Sequence, residues 1–145
     1  IGDGPETVRI TRLCKEKNLQ DRVLFVGQQE EVLPYLRALD AFILTSYREQ
    51  MPMTVLEAMA VGIPVVASHV GELPHVIDHR VDGFLVNPKA DPGTWAEVLL
   101  SLKNEAKYKH AGQLARRKVL ARFQAEQMVR SYKSLIGNVL GAPLH

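Results

Sequence analysis

The sequence predicts an α/β fold, a doubly wound parallel sheet with helices on both faces. Short, almost wholly apolar runs recur along the chain: RVLFVG at 22–27, AFILTS at 41–46, PVVAS at 64–68 and GFLVNP at 83–88. Strands covered on both faces read as such continuous runs, whereas half-exposed strands alternate. Each run is separated from the next by residues with helical spacing, the βαβ alternation of a parallel sheet. The 145 residues, 46% hydrophobic and 23% charged, suit one soluble domain over 1–145.

ETVRITRLCKEKNL at 6–19 sets Val8, Leu13 and Cys14 among charges at helical spacing. RVLFVG is then a strand ending on Gly27, and EEVLPYLRAL at 30–39 a short helix bent at Pro34. AFILTS is the second strand. A helix over Met53–Val61 follows, with Pro52 in its first turn, Gly62 as its stop and Pro64 opening the strand PVVAS. ELPHVI at 72–77 is a short helix and GFLVNP a strand. PGTWAEVLLSL at 92–102 starts on Pro92 with Asp91 as cap. Closing helices occupy about 104–140, as 106–121 and 125–140. In such sheets the ligand lies beyond the carboxyl ends of the strands, here Gly27-Gln28, Thr45-Ser46, Ser68-His69 and Val86-Asn87.

Composition narrows the function. Cys14, the single cysteine, excludes an internal disulfide and a cysteine metal cluster, and is expected as a free thiol in a reducing, cytoplasmic setting. No apolar run approaches the roughly 20 residues of a membrane span. No signal peptide is recognisable; the chain opens on Ile1 and reads as a piece of a longer protein. Charge is uneven: residues 1–100 hold nine Lys/Arg and fourteen Asp/Glu, residues 101–145 nine Lys/Arg and two Glu. A basic tail suits weak contact with an anionic surface at the inner face of a membrane, although a solvated helix face is the plainer reading. Without interleaved aromatics it does not read as a nucleic-acid site.

The chemistry concentrates in REQMPMTVLEAMAVGIPVVAS, Arg48 to Ser68. Between Met51 and Val66 only Thr54 and Glu57 are polar. A helix apolar all round is expected to be buried, and a buried carboxylate is costly unless paired. No Lys or Arg stands at 53, 54, 60 or 61, so Glu57 needs a distant base or a ligand. A vicinal diol such as a ribose can donate two hydrogen bonds to one carboxylate. The first N–H groups of the same helix, at Met53 and Thr54, suit a phosphate. Together they describe a nucleotide, with Glu49 in the loop beyond the phosphates. The competing reading pairs Glu57 with a remote base and leaves Glu49 solvated.

EQMPMTVLEAMAVGIPVVAS closely resembles the signature of retaining GT-B glycosyltransferases of family GT4, a Glu, seven residues and a second Glu leading into Ala-Met-Ala-x-Gly-x-Pro-Val-Val-Ala-Ser. IGDGPE, VLFVGQQEEVLPYLRALDAFILTS, VDGFLVNPKADPGTWAEVLLSL and RFQAEQMVRSYKSLI are similar to other parts of its Rossmann-like C-terminal domain. The resemblance implies retaining sugar transfer from a UDP-, GDP- or ADP-sugar to a glycan, lipid or small-molecule acceptor. Glu57 would bind the ribose, the backbone at Met53 and Thr54 the diphosphate or sugar, and Glu49 the donor sugar near the reacting carbon. Gln50 and Met51 would lie beside the donor, and Gly27 and Gln28 near the base. No metal or other cofactor is implied. His69 and His75, six apart, do not have ordinary ligand spacing.

Departures from the family pattern are Gln50, where Gly is common, and GELPH at 71–75, where Gly-Gly-x-x-Glu is frequent; Glu72 and His75 thereby alter the acceptor side. The family's diphosphate-binding Arg and Lys, its first strand and its N-terminal Rossmann-like acceptor domain would precede Ile1. In the strand order 3-2-1-4-5-6 the strands flanking the first would be exposed or forced together, and this chain alone would be inactive. A non-catalytic nucleotide-binding or interaction module of the same fold is the alternative. A dinucleotide oxidoreductase is disfavoured because GDGPET carries Thr7 where G-x-G-x-x-G needs its third glycine.

Overall fold

The computed structural model describes residues 1–103 and 105–141. Asn104, assigned above to the closing helices, and 142–145 lie outside the described residues. Two compact units are present, one of residues 1–35 and one beginning at Leu36.

In the first unit, α1 (Thr7–Glu16) is shorter than the expected 6–19 and carries Cys14 as a free thiol. Its entry turn is tied by Asp3, whose carboxylate accepts from Gly4 N at 2.7 Å and Thr7 Oγ1 at 2.9 Å. The expected strand at 22–27 does not form. Gly2 N donates to Gly27 O at 2.8 Å, but one bond is not a ladder, and Val23, Leu24 and Phe25 remain exposed. An apolar run becomes a strand only where a neighbour takes up its backbone groups.

Next comes α2 (Leu33–Arg37), with Pro34 inside its first turn rather than at a bend. The second unit holds a parallel sheet in the order β1 (Phe42–Leu44), β2 (Val65–Ser68), β3 (Phe84–Val86). All four residues of β2 are buried, as a central strand requires. β1 ends the sheet, with Ile43 at 43% exposure and Phe42 and Leu44 half-buried.

Val66 packs with Val86 and with Trp95 and Leu102 of α5 (Pro92–Ser101) and its end. Strand alternation turns Val65 and Ala67 to the opposite face, toward α3 (Met53–Val61). Helices therefore cover both faces. Asp91 caps α5 by accepting from Gly93 N at 2.8 Å and Thr94 Oγ1 at 2.7 Å; these bonds hold its carboxyl below the usual range. A short α4 (Leu73–Val76) links β2 to the loop before β3.

α6 (Glu105–Arg122) lies across α3, burying Ala111, Ala115 and Val119. Close approach is possible because Gly112 lacks a side chain: a Cβ there would sit 2.1 Å from Gly62 O. Lys118 on the same helix reaches into the loop after α4. Its ammonium pairs with Asp82, which is 2% exposed, with Asp78 at 2.6 Å, and donates to Val76 O at 3.1 Å. Beyond it, α7 (Ala125–Leu140) buries none of its residues.

Candidate functional site

α3 begins where its sequence leaves backbone donors free. Pro52 is the N-cap, one position before the first turn where it was expected, and has no side-chain group to cap with. The Met53 and Thr54 amides, the first N–H groups of the helix, thus have no side-chain acceptor at the cap and lie at the positive end of the helix dipole. At the other end Gly62, in the left-handed conformation (φ 87°), closes the helix through Ala58 O and Met59 O, as the sequence predicted.

The expected all-round burial of α3 does not hold. Val55, Leu56, Ala58 and Met59 are buried, whereas Met53 is 62% exposed, Thr54 is exposed and Glu57 is half-buried. Glu57 is three and four residues beyond Thr54 and Met53, so the three share the open stripe. It is not a core acid and avoids the full cost of burial. No side-chain hydrogen bond or ion pair joins its carboxylate to another described residue, so the remote base of the competing reading is not found. It sits about 6 Å along the axis from the helix start, and helical side chains lean toward that end. One ligand can span its carboxylate and the free amides.

Glu49 lies in the loop after β1, half-buried, beside an open depression of about 710 Å³ lined by Tyr47, Arg48, Glu49, Gln50, Met51, Val70 and Gly71. Its backbone is held by the turn after β2. Glu72 N donates to Gln50 O at 3.0 Å, and Gly71 (φ 55°) packs so closely that a Cβ would fall 2.0 Å from Glu49 O. Both carbonyls face this turn. In planar trans peptides the N–H groups of Gln50 and Met51 then face the opposite way. The turn is anchored by buried Ser68 and Leu73, by Ser68 Oγ donating to Leu44 O at 3.4 Å and by His69 N donating to Val86 O at 2.8 Å.

The structure thus gathers Glu49, Gln50 and Met51 in one depression and Met53, Thr54 and Glu57 on one helix stripe, all past the carboxyl end of β1. Gly27 (φ 66°) and exposed Gln28 belong to the unit of residues 1–35. Tyr47, Arg48, Val70 and Gly71 were not singled out from sequence. Tyr47 and Arg48 are signalled by their place beside Glu49, but nothing local ties Gly71 to a loop 22 residues earlier. Another cavity of about 610 Å³, lined by His79, Arg80, Phe84, Glu97 and His110 among others, opens on the amino side of β3. That is the wrong end of the sheet for the ligand of such a fold. Among the described residues no three His, Cys, Asp or Glu come together as a metal-binding group. No helix is long and apolar enough to cross a membrane among them.

Comparison with known proteins shows the family. The profile of the family described as glycosyl transferases group 1 matches residues 1–118. N-acetyl-alpha-D-glucosaminyl L-malate synthase of Bacillus anthracis is 36% identical over 140 residues, covering 97% of this chain and 37% of the relative. The structure of sucrose-phosphate synthase from Thermosynechococcus elongatus superposes with a TM-score of 0.83 at 33% identity, over 94% of this chain and 37% of that one. HepE of Anabaena, solved in complex with UDP and glucose, superposes with a TM-score of 0.79 at 25% identity, over 92% of this chain and 39% of its own. The chain spans little more than a third of the length of these relatives. Its sheet, its signature loop and helix and these matches together make it a member of the glycosyl transferases group 1 family, with the C-terminal domain fold of GT-B glycosyltransferases.

Proposed function

We propose that this chain is the donor-binding part of a retaining glycosyltransferase that moves a sugar from a nucleotide-diphosphate sugar to an acceptor. The observation that carries the reading is the open stripe of α3, where Glu57 has no hydrogen-bond or ion-pair partner among the described residues and stands one turn beyond the uncapped amides of Met53 and Thr54. Glu57 accepts from the ribose hydroxyls, and the helix start takes the diphosphate. Glu49 contacts the donor sugar and stabilises the positive charge that develops at its anomeric carbon. The N–H groups of Gln50 and Met51 supply further donors beside it.

The structure of HepE with UDP and glucose supports a UDP-sugar as the first donor to test, with GDP- and ADP-sugars next. Helix amides and basic groups neutralise the diphosphate without a metal, so turnover should survive EDTA. Transfer needs an acceptor domain and a basic pair that this chain does not contain, and residues 1–145 alone bind nucleotide without transferring sugar.

The test is a screen of nucleotide sugars with the protein of the complete gene, followed by calorimetry of the matching nucleoside diphosphate. Glu57→Gln removes the charge from two hydrogen bonds and weakens binding about 10- to 100-fold, since bonds to charged groups contribute roughly 1.5–3 kcal/mol. Unchanged affinity for all three diphosphates would sink the ribose assignment. Nucleotide binding without transfer from any sugar would leave the non-catalytic module.

A further inference from the structure

We propose that Gly71 is the positioning residue of the Glu49 loop: bare backbone at this one place lets the turn after β2 fix the Glu49 and Gln50 carbonyls, and with them the direction of the Glu49 side chain. This rests on the reading of Glu49 as the sugar-contacting carboxylate and adds to it a residue that touches no substrate.

Three features single out Gly71. First, the contact is between backbones: a Cβ would meet Glu49 O at 2.0 Å, Glu49 C at 2.8 Å and Gln50 O at 3.1 Å, so no side chain can swing aside to make room. Second, the other described glycines with positive φ face no such wall. Gly62 meets nothing closer than 3.7 Å, and Gly2, Gly27 and Gly141 meet nothing within 4 Å. Third, the turn is the stiffer partner. It is pinned by Ser68 and Leu73, both fully buried, and by the His69 N–Val86 O bond. The Glu49 carboxylate, by contrast, has no hydrogen bond or ion pair with a described residue. Its placement is inherited from its backbone, and that backbone is held at Gly71 and Glu72. A methyl group at 71 moves the loop.

Gly62 supplies the control, because Gly62→Ala carries a similar left-handed strain without the wall. In the protein of the complete gene, Gly71→Ala is expected to lower kcat about a hundredfold, the usual cost of an ångström-scale misplacement. The affinity for UDP, GDP or ADP, whichever binds, stays with that of Gly62→Ala. Gly71→Asn, which tolerates φ near +60° but keeps the Cβ, loses as much, which separates collision from strain. Adding Gly71→Ala to Glu49→Ala costs nothing more, since residues acting through one group are not additive.

A Gly71→Ala kcat within about fivefold of Gly62→Ala, with Glu49→Ala slowed to a low but measurable rate, overturns the positioning role and leaves Glu49 in place. Full activity in Glu49→Ala overturns the underlying reading instead. Further loss in the double variant also refutes action through Glu49. If the Gly71 variants do not fold, Glu72→Pro reads the same clamp by deleting the N–H that holds Gln50 O. There too a kcat loss under about fivefold is the overturning result.

Discussion

Replacing Lys118 by Met should cost this chain several kcal/mol although Lys118 lies far from Glu49 in sequence and lines no ligand depression. Its side chain is 12% exposed and that of Asp82 is 3% exposed. One oxygen of Asp82 accepts from Asp78 N at 2.8 Å, and the other faces the Lys118 ammonium. Methionine fills a similar volume but leaves Asp82 as a buried carboxylate without its countercharge. Breaking a buried pair from one side typically costs about 3–5 kcal/mol. The Asp78 contact adds little, because that side chain is 61% exposed and solvent screens it to at most about 1 kcal/mol. Against a total stability of roughly 5–15 kcal/mol this is a large share. Urea denaturation at pH 7 reads it through Trp95, the single tryptophan, which packs on Val66 and Val86. Asp82→Asn in the same background should restore part of the loss by removing the stranded charge. A loss below about 1 kcal/mol for Lys118→Met, or losses in the double variant that merely add, would refute the reasoning.

Two further outcomes follow from the packing and the charges. Gly112→Ala drives a methyl group to 2.1 Å from Gly62 O and should destabilise by about 1–3 kcal/mol in the same urea titration. His79, an exposed residue, is held below its ordinary value of 6.5 by partial desolvation, then by the positive charges of Arg80 and His69, and its Nδ1 accepts from Leu85 N at 2.9 Å. The neutral form is therefore favoured in the folded state. Its contribution is whole above the unfolded value and shrinks as pH falls through about 6.5 toward the lower folded value. Thermal midpoints between pH 8 and pH 5 should show a smaller acid-side decline in His79→Gln than in the parent, and identical profiles would remove His79 from the account.

Much of the site was legible because its signals are local. Pro52, Gly62 and Pro64 bracket Met53–Val61, and the helix has those bounds. Asp91 before Pro92 announced a cap and makes one. Reading Glu57 as a core acid went wrong for a physical reason: seven apolar residues among the nine of this helix carry no clear periodicity, so burial depends on what packs on each side. Val55, Leu56, Ala58 and Met59 are buried in a helix that packs on α6 and the sheet, while Met53 is exposed and Glu57 half-buried. The strand expected at 22–27 needed a ladder that one bond to Gly2 does not supply. Lys118 with Asp82, and Gly71 with Glu49, meet across 36 and 22 residues, distances at which a single sequence carries no pairing signal.

Anyone recombining this chain with its relatives should treat 47–51 and 68–73 as one cassette. A crossover between them would join a loop from one parent to a turn from another, and any residue with a side chain imported at 71 would collide with the loop it must support. Libraries that diversify the turn will therefore displace the loop at 47–51 at the same time, unless position 71 is held constant.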